Sequence, residues 1–161
     1  MKQYLADLHI HTCLSPCGSL EMSPSEIVRR SLAKGLDAIA ITDHNTTLQC
    51  PEIAVQARKV DALFVAAHVE RPSFSLISQL GFIDPCLSLD AIEYNNQQRY
   101  SKLLSIHGYL KEQTQYSASD AHYPEQIGTQ PSIWQTEELT FDGLRKAFDQ
   151  KDNHLIFASH G

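Results

Sequence analysis

The sequence has no long apolar run. No stretch reaches the ~20 residues that a membrane-spanning helix needs. Its first residues lead into a strand pattern, not into a basic segment followed by an apolar core. No membrane partner and no secretory route are expected. Positive charge is scarce as well: 13 Lys and Arg stand against 19 Asp and Glu, a formal net charge of −6. Nucleic-acid binders usually carry a basic face, so a nucleic acid is not expected as a partner. A small phosphorylated substrate is, because a bound divalent metal can reverse the local field. The four cysteines, Cys13, Cys17, Cys50 and Cys86, form no CxxC pair. Reduced thiols in a cytoplasmic protein are the expectation. There is no internal repeat, linker or low-complexity run, and no Ser–His or Cys–His nucleophile signature.

What is present fits one domain over residues 1–161, with 42% hydrophobic residues. A chain of this length buries roughly two thirds of its extended surface. Strands are predicted over residues 4–11, 36–42, 63–67, 91–94, 116–119, 132–134 and 155–158. Ser23-Pro24-Ser25-Glu26 combines a capping box with proline at the first helical position, and Gly35 closes the helix it starts. Ile27, Val28, Leu32 and Ala33 are expected to face inward. Further helices are predicted over 51–60, from a Ser73 cap to Leu80 before Gly81, over 98–112 and over 141–150. Such alternation implies an α/β fold with a mostly parallel sheet.

Asp7-Leu8-His9-Ile10-His11-Thr12 carries the strongest chemical signal. Histidines two apart on a strand project from one face, and such a pair has few structural uses. Thr42-Asp43-His44-Asn45, Ala67-His68, Glu93 and Ser119-Asp120-Ala121-His122 follow, each at or just beyond the C-terminal end of a predicted strand. In parallel α/β folds that edge is where sites assemble, so these residues are expected to meet in one cup. Imidazole and carboxylate donors suit zinc, manganese or iron. Such ions lower the pKa of water and hold phosphoryl oxygens, which removes the need for a protein nucleophile. Asp7 and Asp43 are expected to orient neighbouring imidazoles through their second ring nitrogens. His107, His154 and His160 are read as structural, and Cys13, Cys50 and Cys86 as buried or loop residues.

Taken in order, DLHIHT, ITDHN, AH before a proline-containing loop, AIEYNN and SDAH resemble the motifs of the PHP (polymerase and histidinol phosphatase) family. The resemblance runs from Asp7 to about Gly128. It implies a distorted seven-stranded TIM-like barrel, (β/α)7, with up to three divalent metal ions at its C-terminal edge. It also implies hydrolysis of a small phosphate ester by a metal-activated water. His9, His11 and Asp120 would hold one ion, His68 with Glu93 a second, and His44 with His122 would serve the third. Cys17, six residues after His11, stands where the family often places another third-site ligand. Asp43 and His44 are assigned to catalysis together with Arg71. That arginine lies near a predicted helix start with Ser73 and Ser75, a setting suited to a substrate phosphate.

One part of the family pattern is missing. A strand with a metal-bridging glutamate normally lies between the DHN and AH segments. Here His44 and His68 are 24 residues apart, an interval filled by one predicted helix and the strand leading to His68. Glu52 and Glu70 are the nearest carboxylates, and neither stands where the pattern places its glutamate. The barrel is therefore expected to be incomplete. The competing reading is a degenerate domain that binds metal or a phosphorylated ligand without catalysis. Open sheet edges are costly unless covered, so a homo-oligomer is expected.

Overall fold

The computed structural model describes residues 1–43, 63–84 and 87–159. His44, Cys50, Glu52, Cys86, His160 and the helix predicted over 51–60 lie outside the described residues. In chain order the described elements are β1 (Lys2–Ile10), α1 (Pro24–Ala33), β2 (Ala38–Ile41), β3 (Val65–Ala66), α2 (Leu76–Leu80), β4 (Ala91–Tyr94), α3 (Gln97–Ile106), β5 (Gln115–Ser117), β6 (Ser132–Thr136), α4 (Phe141–Phe148) and β7 (Leu155–Ala158). Among the described residues, no helix is long and apolar enough to cross a membrane.

These strands form two sheets, ordered β2-β1-β6-β7 and β3-β4-β5. The second sheet is parallel throughout, as expected. In the first, only β1 and β2 are parallel; β6 runs antiparallel to β1, and β7 antiparallel to β6. The α/β class is as expected, but the strands do not form one mostly parallel sheet: β6 and β7 pair antiparallel, and no closed barrel is seen among the described residues. Parallel neighbours need a long crossover, usually helical. Between β5 and β6 there is only a 3₁₀ turn, Pro124–Gln126.

The two sheets are joined where β5 meets β6. The Ser132 hydroxyl accepts from the Ser117 amide at 3.0 Å and donates to the Ser117 carbonyl at 2.7 Å. Beyond β5, the chain bridges to the end of β1: the His11 amide donates to the Ala121 carbonyl at 2.9 Å, and the Ala121 amide to that of His9 at 3.2 Å.

Local sequence explains the helix ends. The Ser23 side chain accepts from the Glu26 amide, Pro24 opens α1, and Gly35 takes the left-handed conformation at φ +70°. The inward face of α1 differs from the expectation. Ile27 and Ser31, one turn apart, are buried, while Val28 and Leu32 face solvent. The reason is the partner surface: Ile27 packs with Met22, Leu36 and Ile127 in one apolar cluster. Ser75, not Ser73, caps α2, exchanging hydrogen bonds with Ser78. The helix predicted over 98–112 divides at His107, whose ψ of 63° leaves the helical region, and continues as the 3₁₀ turn Gly108–Glu112. Gly108 at that point weakens helix continuation.

Asp7 was expected to steady an imidazole. Instead it is a buried clamp on backbone. Its carboxylate accepts from the Ser119 hydroxyl and amide, at 2.5 and 3.1 Å, and from the Gly128 amide at 2.8 Å. Burial pushes its pKa up, against those hydrogen bonds. Removing it strands buried donors on the 119–128 segment. Asp7→Ala is expected to lower stability by about 3 kcal/mol, and Asp7→Asn by less, since the amide oxygen still accepts. Urea unfolding of both variants is the check; a loss no larger for Ala than for Asn would count against the clamp.

Candidate metal centre

Strand alternation in β1 sends Ile10 into an apolar cluster and His9 and His11 to the other face, both buried. The bridge to Ala121 brings Asp120 against them. His9 Nε2 lies 3.0 Å from His11 Nε2, His11 Nε2 lies 3.1 Å from Asp120 Oδ1, and His9 Nε2 lies 3.5 Å from the same oxygen. Ligands bonded to a metal at about 2.1 Å sit roughly 3.0 Å apart at right angles and about 3.4 Å apart at tetrahedral angles. The triangle has that size. Two imidazole lone pairs at 3.0 Å repel unless a proton or a cation lies between them.

His68 completes this inner group. Its ring stacks on that of His9 with centroids 5.4 Å apart, and His9, His68 and Asp120 offer ligand atoms within 4.8 Å of one another. The buried His68 Nδ1 has no hydrogen-bond partner. Burial lowers the His68 pKa, so the ring is held neutral with lone pairs to donate. For Asp120, burial works upward, but the His11 hydrogen bond and the neighbouring histidines outweigh it and bring the pKa to about 2. For His9, burial works downward and is outweighed by Glu93, Asp120 and Asp7, so the ring attracts positive charge. Neutral imidazole, ionised carboxylate and a ring seeking a cation make a donor set that a divalent ion fits.

Both His68 and Asp120 occupy the left-handed region, at φ +32° and +53°. Non-glycine residues there cost on the order of 1–3 kcal/mol.

Carboxylates and amides stand behind the inner group. Glu93, expected on a second ion with His68, lies against His9 Nδ1 at 2.8 and 3.0 Å and accepts from the His68 amide at 3.3 Å. The Tyr116 hydroxyl donates to it at 3.2 Å. A carboxylate on the outer ring nitrogen leaves the Nε2 lone pair of His9 facing the triangle. Asp120 divides its oxygens: Oδ1 faces the histidines, while Oδ2 accepts from Arg71 Nη1 and, at 3.3 Å, from Asn95 Nδ2.

A second group lies nearer the surface, where His11, Cys17 and His122 offer atoms within 4.8 Å of one another. His122 Nδ1 donates to the Asp120 carbonyl at 2.7 Å, which leaves the lone pair on Nε2. The turn carrying Cys17 depends on Gly18, where a Cβ would fall 2.1 Å from the Thr12 carbonyl oxygen. Asp43 is at the rim, accepting from the Thr12 amide and hydroxyl, both at 2.7 Å. Glu70 belongs to neither group. One of its oxygens accepts from the Asn95 and Asn96 amides at 3.0 and 2.9 Å.

The sequence reading overlooked Asn95, Tyr116 and Ser119 as supports. Asn95 follows the strand-end Glu93, and that adjacency was the available signal. Tyr116 and Ser119 reach Glu93 and Asp7 across 23 and 112 positions, and nothing local announces such contacts.

The PHP domain profile matches residues 7–148. The chain belongs to the PHP domain family. No curated protein is found to match it. Among solved structures, the lesion-specific endonuclease PfuEndoQ from Pyrococcus furiosus is similar, with a TM-score of 0.76 and 18% identity, over 96% of this chain and 58% of that one. Endonuclease Q in complex with a 27-mer duplex substrate, an abasic lesion at its active site, gives 0.78 and 17% over the same shares. At these identities the likeness is one of fold, and this PHP chain spans 58% of its neighbours' length. The expectation that nucleic acid is not a partner is corrected by these neighbours. A net charge of −6 is a weak guide to a partner because the whole-chain sum hides local fields.

Glu93→Gln keeps the shape but removes the charge behind His9. It is expected to weaken zinc binding about 10- to 100-fold, measured by competition with a chromophoric chelator. Unchanged affinity would show that Glu93 does not support the site.

Proposed function

We propose that this PHP domain is a metal-dependent phosphoesterase that cleaves phosphodiester bonds of nucleic acid. The observation that carries the reading is the buried His9–His11–Asp120 triangle, sized for a cation. The DNA-processing proteins of the same fold support the substrate class. A monoester on a small molecule is the narrower alternative and is separable by substrate.

In this reading His9, His11, His68 and Asp120 would hold one divalent ion, with Glu93 behind them, and Cys17 and His122 would hold another, since the neutral His11 ring has a single lone pair to give. A third ion would involve His44. A bound ion supplies a polarised phosphoryl oxygen and a water of lowered pKa. Zinc, manganese and iron all suit the inner donors, whereas the Cys17 thiolate favours zinc at the outer group. Arg71 donates to Asp120 and orients it, and its partly exposed guanidinium is placed to share a substrate phosphate oxygen. Asp43, fixed at the rim by Thr12, and its neighbour His44 complete the proposed catalytic set.

We also read residues 1–161 as one domain, with the two sheets as walls of an incomplete (β/α)7 barrel. The serine link between β5 and β6 supports that view.

One observation favours the non-catalytic alternative. Glu70, a candidate for the absent bridging glutamate, has its Oε1 taken by the Asn95 and Asn96 amides, which leaves only Oε2 for any other partner. The deciding experiment strips the protein with chelator and reloads it with zinc, manganese or iron. Turnover of bis-p-nitrophenyl phosphate, p-nitrophenyl phosphate and a short oligonucleotide is then followed. Diester turnover should appear on reloading and fall at least about 100-fold in His9→Ala. Full metal occupancy with no turnover would leave a binding domain.

A further inference from the structure

Beside the metal centre, an open cleft of about 280 Å³ lies between α3 and the turn that carries Glu70 and Pro72. Its walls are apolar and cationic, with the buried Glu70 as the one acidic lining residue among the described residues. Pro72, Leu103 and Ile106 are apolar, and Ile106 is 69% exposed. Arg99 and Lys102, three residues apart on α3, add two positive charges. Three residues is close to one helical turn, so both project from one side of the helix. Among the described residues, neither forms an ion pair with a carboxylate.

The cleft is rigidly tied to the metal centre. Glu70 grips the amides of Asn95 and Asn96, where α3 begins. The next residue, Arg71, reaches Asp120, and Pro72 returns to the cleft wall. The two places are thus separated by one arginine side chain, and Asn95 touches Asp120 from the α3 side. A strand held at the metal centre would have its neighbouring unit at this cleft.

Apolar walls beside a pair of cations match a nucleotide, whose base and sugar present flat apolar faces and whose phosphate is anionic. We infer that this cleft seats the nucleotide adjacent to the cleaved phosphodiester, with its phosphate on Arg99 and Lys102 and its base against Pro72, Leu103 and Ile106. The inference rests on the nucleic-acid reading above and adds where the strand runs.

The test measures binding, independent of turnover. A fluorescent single-stranded oligonucleotide of about ten nucleotides is titrated by anisotropy at several salt concentrations. The proteins are wild type, Arg99→Glu/Lys102→Glu, and Lys2→Glu/Lys34→Glu, which makes the same charge change outside the cleft. Thermal melts establish that each is folded. The cleft variant should bind at least about tenfold more weakly, with a salt slope smaller by roughly 1.4, while the control stays near wild type. Equal losses in both variants, or none in either, overturn the subsite alone. No binding by the wild type overturns the nucleic-acid reading and the subsite with it. If the cleft variant fails to fold, Arg99→Gln/Lys102→Gln removes the charges more gently and must show the same direction.

Discussion

A carboxylate with no water around it holds this molecule's two halves in register. Asp7 is fully buried and gathers donors from Ser119 and Gly128, more than a hundred positions away. The segment it captures carries Asp120 and His122. That capture and the bridge from Ile10 to Ala121 together select which loop lies over His9 and His11. The Ile10–Ala121 bridge then sets the register to one residue, and a slip of one would turn Asp120 away from the histidines. Order in the metal centre is thus inherited from a charge that is not one of its proposed ligands.

The same device recurs on a smaller scale. Asp43 grips Thr12, Glu70 grips the start of α3, Asp37 accepts from the Leu5 amide and Asp90 from that of Phe64. Each joins two chain segments through backbone donors in or near the ends of strands and helices. Hydrogen bonds to ionised acceptors are roughly twice as strong as neutral ones. In a fold with short strands such bonds supply order that long ladders supply elsewhere.

The gathering of His9, His11, His68, Glu93, Asp120 and His122 at one edge was legible because strand ends and residue types are local features. Their partners were not. The sequence suggested that Glu93 and His68 belong together; Glu93 does take the His68 amide, but its carboxylate also lies against the His9 ring, a contact across 84 positions that nothing local announces. Arg71 looked like a residue for substrate alone, and its contact with Asp120 spans 49 positions. Helix α1 shows the same limit. Its caps were readable from Ser23, Pro24 and Gly35, but which side is inward depends on Met22, Leu36 and Ile127 arriving from elsewhere. Both β6 and β7 were predicted as strands, but their antiparallel direction was not, because apolar runs carry no direction.

The left-handed backbone at His68 and Asp120 sets stability against use. Glycine or asparagine would relax both positions, so selection for a firmer fold alone would drift toward residues that relieve the backbone and weaken the site. Keeping an imidazole and a carboxylate there means the chain carries a standing load, borne by Asp7, Glu93 and the packed strands around them. Part of the domain's backbone strain therefore sits where its most reactive side chains do.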